Sequence, residues 1–215
     1  MDGTLIDSEP TWYACERSLM SEFDYDWSEE DQRNCLGGPL LRAGEYMRGK
    51  AGGVHAAQFF ADELLSRVAL EFENGVTFMD GALDFARKVF ESGTPTALVS
   101  ASPRILMDSC LKGLSQTAPD LSEMFSLSIS MNDVKASKPD PEGYLLAAEI
   151  KGVEISRSLV IEDSVTGVKA GVSSGAWVLA LPHIVQIEPG ERIRMRPNLK
   201  DLDLTQLVQL FADAK

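Results

Sequence analysis

Three acidic residues lie at the ends of apolar segments or in the tight turns beside them: Asp2 in Met1-Asp2-Gly3-Thr4, and Glu162 with Asp163 after Leu159-Val160-Ile161. Carboxylates gathered in one place repel, and a hard cation such as Mg²⁺ relieves that repulsion with oxygen ligands and retained waters. Ser100-Ala101-Ser102 closes another apolar segment and precedes a helical one. A hydroxyl and free backbone N–H groups at such a turn can hold a phosphate oxygen, which makes Ser100 and Ala101 candidate phosphate-binding residues. Ser102, with Pro103 next to it, reads as an ordinary helix N-cap. Lys138 stands in Lys138-Pro139-Asp140-Pro141, where two prolines stiffen the loop and direct the ammonium. A lysine so held can neutralise a carboxylate and a phosphate together, as phosphoryl transfer demands. Singly, each of these residues has a plainer explanation: a solvated acid, a capping serine, a surface lysine.

The elements that must carry them fall into two textures. From about Pro10 to Gly75 the chain reads as helices only, with Trp12, Cys15, Leu19 and Phe23, and later Phe60, Leu64 and Val68, at helical spacing. After Gly81 strands and helices alternate. Helices are expected over 82–91, 104–114, 141–150, 165–174 and 202–212, and strands over 96–100, 127–130, 159–161 and 176–181. Such alternation predicts an α/β fold with a parallel sheet covered on both faces. Sites on these sheets lie beyond the carboxyl ends of the strands, where Ser100 and Glu162-Asp163 fall. Gly167 and Gly171 share one helix face and are expected to pack against the sheet.

Composition narrows the function classes. The 215 residues carry a formal net charge of −13, which argues against a nucleic-acid partner. Cys15, Cys35 and Cys110 show neither zinc spacing nor a disulfide framework and suit a reducing cytoplasm. No apolar run is long enough to span a bilayer, and the acidic start does not read as a signal peptide. The two histidines, His55 and His183, have no nucleophile-elbow motif beside them, and no Walker or dinucleotide-binding loop occurs.

Asp2-Gly3-Thr4, the strand-end Ser100, Lys138-Pro139 and Glu162-Asp163-Ser164 occur in the order of the haloacid dehalogenase-like superfamily, and the chain resembles its sugar-phosphate phosphatase and β-phosphoglucomutase-like branch. The resemblance implies a Rossmann-like core over residues 1–9 and 76–215 with an inserted α-helical cap over 10–75. It implies Asp2 as general acid/base with its backbone carbonyl on Mg²⁺, and Asp163 as a metal ligand with Glu162 beside it, directly or through water. Ser100 and the Ala101 N–H would hold phosphate, Lys138 would bridge it to the nucleophile, and Thr4 would support the first loop. The family motif reads Asp-x-Asp-Gly-Thr, so Met1 occupies the middle place, and the nucleophile with its central strand is expected to precede Met1.

The expected activity is hydrolysis of a small phosphorylated metabolite by a monomer, through an aspartyl-phosphate. In the cap, Gly38 and Arg42 of Gly37-Gly38-Pro39-Leu40-Leu41-Arg42 are candidates for substrate contact, though Arg42 also reads as a solvated helix residue. The alternative is a mutase, which needs a second phosphate site made by inward-facing Arg42, Arg48 or Lys50. A chain that truly started at Met1 would instead be a binding protein for phosphate, Mg²⁺ or a partner.

Overall fold

The computed structural model describes residues 1–182 and 186–212; His183 lies outside them. Four helices come first: α1 (Glu9–Ser21), α2 (Glu29–Cys35), α3 (Leu40–Lys50) and α4 (Ala57–Glu73). There follow α5 (Ala82–Glu91), β1 (Leu98–Val99), α6 (Arg104–Thr117), β2 (Ser128–Ile129), α7 (Glu142–Lys151), β3 (Leu159–Glu162) and α8 (Val165–Ser174). Then come β4 (Trp177–Ala180), β5 (Ile193–Met195) and α9 (Leu204–Ala212).

The four helices bury their apolar stripes on one another. Leu19, Met20, Met47, Phe60, Leu64, Val68 and Phe72 are almost fully enclosed, and the same cluster runs into Leu106, Met107, Cys110 and Leu114 of α6. Ser28 caps α2 reciprocally with Asp31, its hydroxyl accepting from the Asp31 N–H and its own N–H donating to the carboxylate. Asp31 also pairs with Lys50, at 3.1 Å, and accepts from Tyr46. The chain leading into this helical region runs beside the chain leading out. Asp7 N–H donates to the Thr77 carbonyl at 2.8 Å and Met79 N–H to that of Leu5 at 3.0 Å.

Among the described residues all strand pairs are parallel, in two groups: β1 with β2, and β3-β4-β5 in that order. A second cluster of Val160, Val168, Ala170, Ala176, Val178 and Ala180 joins α8 to β3 and β4. Gly171 lies there as expected, because a Cβ on it would come 2.9 Å from Val178 Cγ2. Strand β1 is shorter than the apolar run from Thr96, since it pairs on one side only and Thr96 turns its hydroxyl to the Met124 carbonyl. Strand β5 escaped the sequence reading because Arg192, Arg194 and Arg196 interrupt its apolar residues. Charge on an edge strand discourages pairing with another chain. No helix among the described residues is long and apolar enough to cross a membrane.

Candidate active site

The carboxyl ends of β1 and β3 and the turn at residues 1–6 converge. The turn is tight: the Met1 carbonyl accepts from the N–H groups of Leu5, at 2.8 Å, and Ile6, at 3.1 Å, while Gly3 N–H returns to the Ile6 carbonyl at 2.9 Å. Gly3 has φ +66°, a left-handed conformation that side-chain-bearing residues rarely adopt. A Cβ there would lie 2.2 Å from Asp163 Oδ2, so glycine also lets this backbone approach the acid. Thr4 Oγ1 donates to Asp163 Oδ1 at 2.7 Å. Burial pushes the Asp163 carboxyl above its ordinary range, partly offset by the Thr4 hydrogen bond.

Lys138 ties the two strand groups together. Its Nζ donates to the Val99 carbonyl on β1 at 3.0 Å and to Glu162 Oε1 at the tip of β3 at 2.5 Å. The pair is enclosed, with side chains 9% and 6% exposed. Burial works to raise the Glu162 carboxyl, but the Lys138 ammonium, the positive amino terminus and the Tyr144 hydroxyl together more than offset it and hold the group at about 2. Glu162 Oε1 also accepts from the Tyr144 hydroxyl at 2.7 Å, and Oε2 accepts from Ser164 Oγ at 3.0 Å and Ser164 N–H at 3.3 Å. Gly167 makes room for this carboxylate, since a Cβ on it would stand 2.0 Å from Glu162 Cδ. The packing role expected of Gly167 therefore serves the site itself.

On the β1 side, Ser100 Oγ donates to Ser102 Oγ at 3.0 Å, and Ser102 Oγ donates to Asp2 Oδ2 at 3.0 Å. Ser100 is 8% exposed, and Ala101 stands exposed at the tip of the turn. Ser102 is not the N-cap that its place before Pro103 suggested. Helix α6 begins at Arg104, whose N–H is satisfied instead by Asn132 Oδ1 at 2.9 Å. The hydroxyl of Ser102 is thereby left for Asp2. Sequence reasoning missed this contact and that of Tyr144; the only advance signs were their places two residues after Ser100 and six after Lys138.

The structure thus brings Asp2, Thr4, Ser100, Lys138, Glu162 and Asp163 to one end of the sheet. Gly38 stands on the exposed loop after α2, and Arg42 stands exposed in the first turn of α3. Arg42 donates to the Leu36 carbonyl at 2.8 Å and the Cys35 carbonyl at 3.4 Å, capping α2, and Gly38 leaves space for its guanidinium.

Among the described residues no three of His, Cys, Asp and Glu stand together as a ready metal site. The donors near Gly3 nonetheless fit a hard cation. They are oxygens throughout, and Asp163 is a half-buried carboxylate that a cation would keep ionised. Glu162, engaged through both oxygens, would meet an ion only through water.

The chain is 28% identical over 191 residues to hexitol phosphatase A of Escherichia coli (strain K12), covering 84% of this chain and 80% of that protein. It is 26% identical over 175 residues to a phosphorylated carbohydrates phosphatase of Thermotoga maritima, covering 81% and 79%. Its fold superposes on a crystal structure described as a putative β-phosphoglucomutase from Thermotoga maritima with a TM-score of 0.72 at 24% identity, over 89% and 86% of the two chains. The profile described as haloacid dehalogenase-like hydrolase matches residues 1–181, and the chain belongs to that family.

Proposed function

We propose that this chain carries the machinery of a Mg²⁺-dependent phosphatase for a small phosphorylated metabolite of the sugar-phosphate class. The observation that carries the reading is the enclosed Lys138–Glu162 pair, set between β1 and β3 beside Asp163 and the Ser100–Ser102–Asp2 chain. The names of the two phosphatase relatives support the substrate class.

Asp163 and the Asp2 carbonyl would hold the metal ion, which when bound draws charge from a phosphoryl group. Ser100, the Ala101 N–H and Lys138 bind and orient the phosphoryl oxygens. The attacking carboxylate belongs, in this reading, to the position directly before Met1. It forms an O–P bond as the ester O–P bond breaks, and Asp2 gives its proton to the departing alkoxide. Asp2 then takes a proton from water, whose oxygen attacks phosphorus and releases phosphate from the aspartyl group. Ser102, donating to Asp2 Oδ2, leaves the other oxygen to carry the proton. The helices over residues 10–75 act as the cap that excludes bulk water.

A phosphatase is favoured over a mutase by the cap's basic residues. Arg42 caps α2, Arg48 pairs with Glu45 at 2.6 Å and Lys50 pairs with Asp31 at 3.1 Å, so each is engaged within the helical region. The test is hydrolysis of p-nitrophenyl phosphate and hexitol phosphates by the chain extended at its front by an apolar strand ending in Asp. Phosphate release that requires Mg²⁺, with no isomerised sugar, is expected. A folded extended chain without turnover refutes the proposal.

A further inference from the structure

Lys138 has three N–H donors, and two are committed, one to the Val99 carbonyl and one to Glu162 Oε1. The value of Lys138 to a bound phosphate rests on where the third points. Two restraints on that direction come from Tyr144, on the first turn of α7 and 9% exposed. Its ring lies beneath the ammonium, with Nζ 5.0 Å from the centroid, a cation–π contact that closes one side to water. Its hydroxyl donates to the same Glu162 oxygen that Lys138 uses, at 2.7 Å. A carboxylate oxygen offers two lone-pair sites, and Oε1 is filled by these two donors. Ser164 Oγ and N–H hold Oε2, so the carboxylate cannot turn to take a second proton from Lys138. Helix α7 is held close to β1 by Gly143, where a Cβ would come 3.0 Å from Val99 Cγ1.

We propose that Tyr144 is a positioning residue, which acts through Glu162 and its own ring to aim the third Lys138 donor at a phosphate oxygen. The inference rests on the phosphate-binding role proposed above for Lys138. Without the hydroxyl, the vacated site on Oε1 draws the ammonium inward and its free donor away from the phosphate.

The test is a double-mutant cycle on the 215-residue chain, reading the affinity for inorganic phosphate by calorimetry in magnesium-containing buffer. Tyr144→Phe keeps the ring and is expected to weaken phosphate binding by about tenfold when Lys138 is present. In the Lys138→Ala background the same change is expected to have no further effect. An equal loss in both backgrounds, or none in either, overturns the inference and leaves Lys138 as placed. A Lys138→Ala chain that binds phosphate as well as its parent overturns the function reading as well. As a second measurement, 3-fluorotyrosine placed at position 144 alone preserves the fold. Its fluorine resonance should move on phosphate addition in the parent and stay fixed in Lys138→Ala; a resonance unmoved in both overturns the proposal.

Discussion

Replacing Lys138 with methionine keeps most of the side-chain volume and removes the charge, leaving Glu162 buried without its cation. The size of the effect follows from the Glu162 carboxyl, which is held at about 2 against an ordinary value of 4.5. That displacement corresponds to roughly 3 kcal/mol of interaction favouring the charged form. Breaking a buried pair by removing one partner typically costs about 3–5 kcal/mol, because the remaining charge is uncompensated. The Tyr144 and Ser164 hydrogen bonds survive, so the lower figure applies. In the parent, Glu162 contributes stability that is present above 4.5 and lost as pH falls through about 2. In Lys138→Met the carboxyl loses the strongest influence that lowers it and rises, so the destabilisation is large at pH 7 and shrinks as pH falls and the group takes a proton. Urea denaturation at pH 7 and pH 5 should show a loss of about 3 kcal/mol at the first and a clearly smaller one at the second. A loss under about 1 kcal/mol at pH 7, or one independent of pH, would refute the reasoning.

Glu16 is 4% exposed, accepts from Trp27 Nε1 at 2.9 Å, and is raised by burial to about 7. The stability it contributes is full below 4.5 and lost as pH rises through 7, so Glu16→Gln should gain up to roughly 3 kcal/mol at pH 8.5 and little at pH 5. Thermal melts that shift equally at both pH values would contradict this. Gly3→Ala must adopt φ +66° and set its methyl against Asp163, and should lower stability by more than about 1 kcal/mol while weakening Mg²⁺ binding; a variant that binds Mg²⁺ like its parent excludes Asp163 as the anchor. Arg42→Ala should leave KM for hexitol phosphates unchanged in the extended chain and fray α2, whereas a tenfold rise in KM would put Arg42 on the substrate.

Much of this was legible in the residues. Helices α5 and α8 fall where periodicity and flanking glycines put them, and the strand ends at Ser100 and Glu162 meet as an alternating α/β chain requires. What escaped reading depends on contacts distant in sequence. The hydroxyl of Ser102 was free for Asp2 only because Asn132, from the segment after β2, satisfied the helix start that Ser102 would have capped. Tyr144 reads as one more core aromatic of a helix until the tip of β3 is laid beside it. The stray arginines of β5 hid a strand whose pairing is supplied by β4. Arg42 stands near a glycine loop in the sequence, and that pattern did not show that it also meets the open carbonyls of α2.

The central claim is that the strand tips form one cradle for a divalent cation and a phosphoryl group. A crystal soaked with Mn²⁺ and inorganic phosphate tests it most directly, because Mn²⁺ replaces Mg²⁺ at oxygen sites and marks itself by anomalous scattering. The account predicts the manganese peak on the Asp163 carboxylate beside the turn at Gly3, with phosphate against Ser100 and Lys138. Manganese bound away from Asp163, or phosphate seated elsewhere while Lys138 remains closed on Glu162, would contradict it.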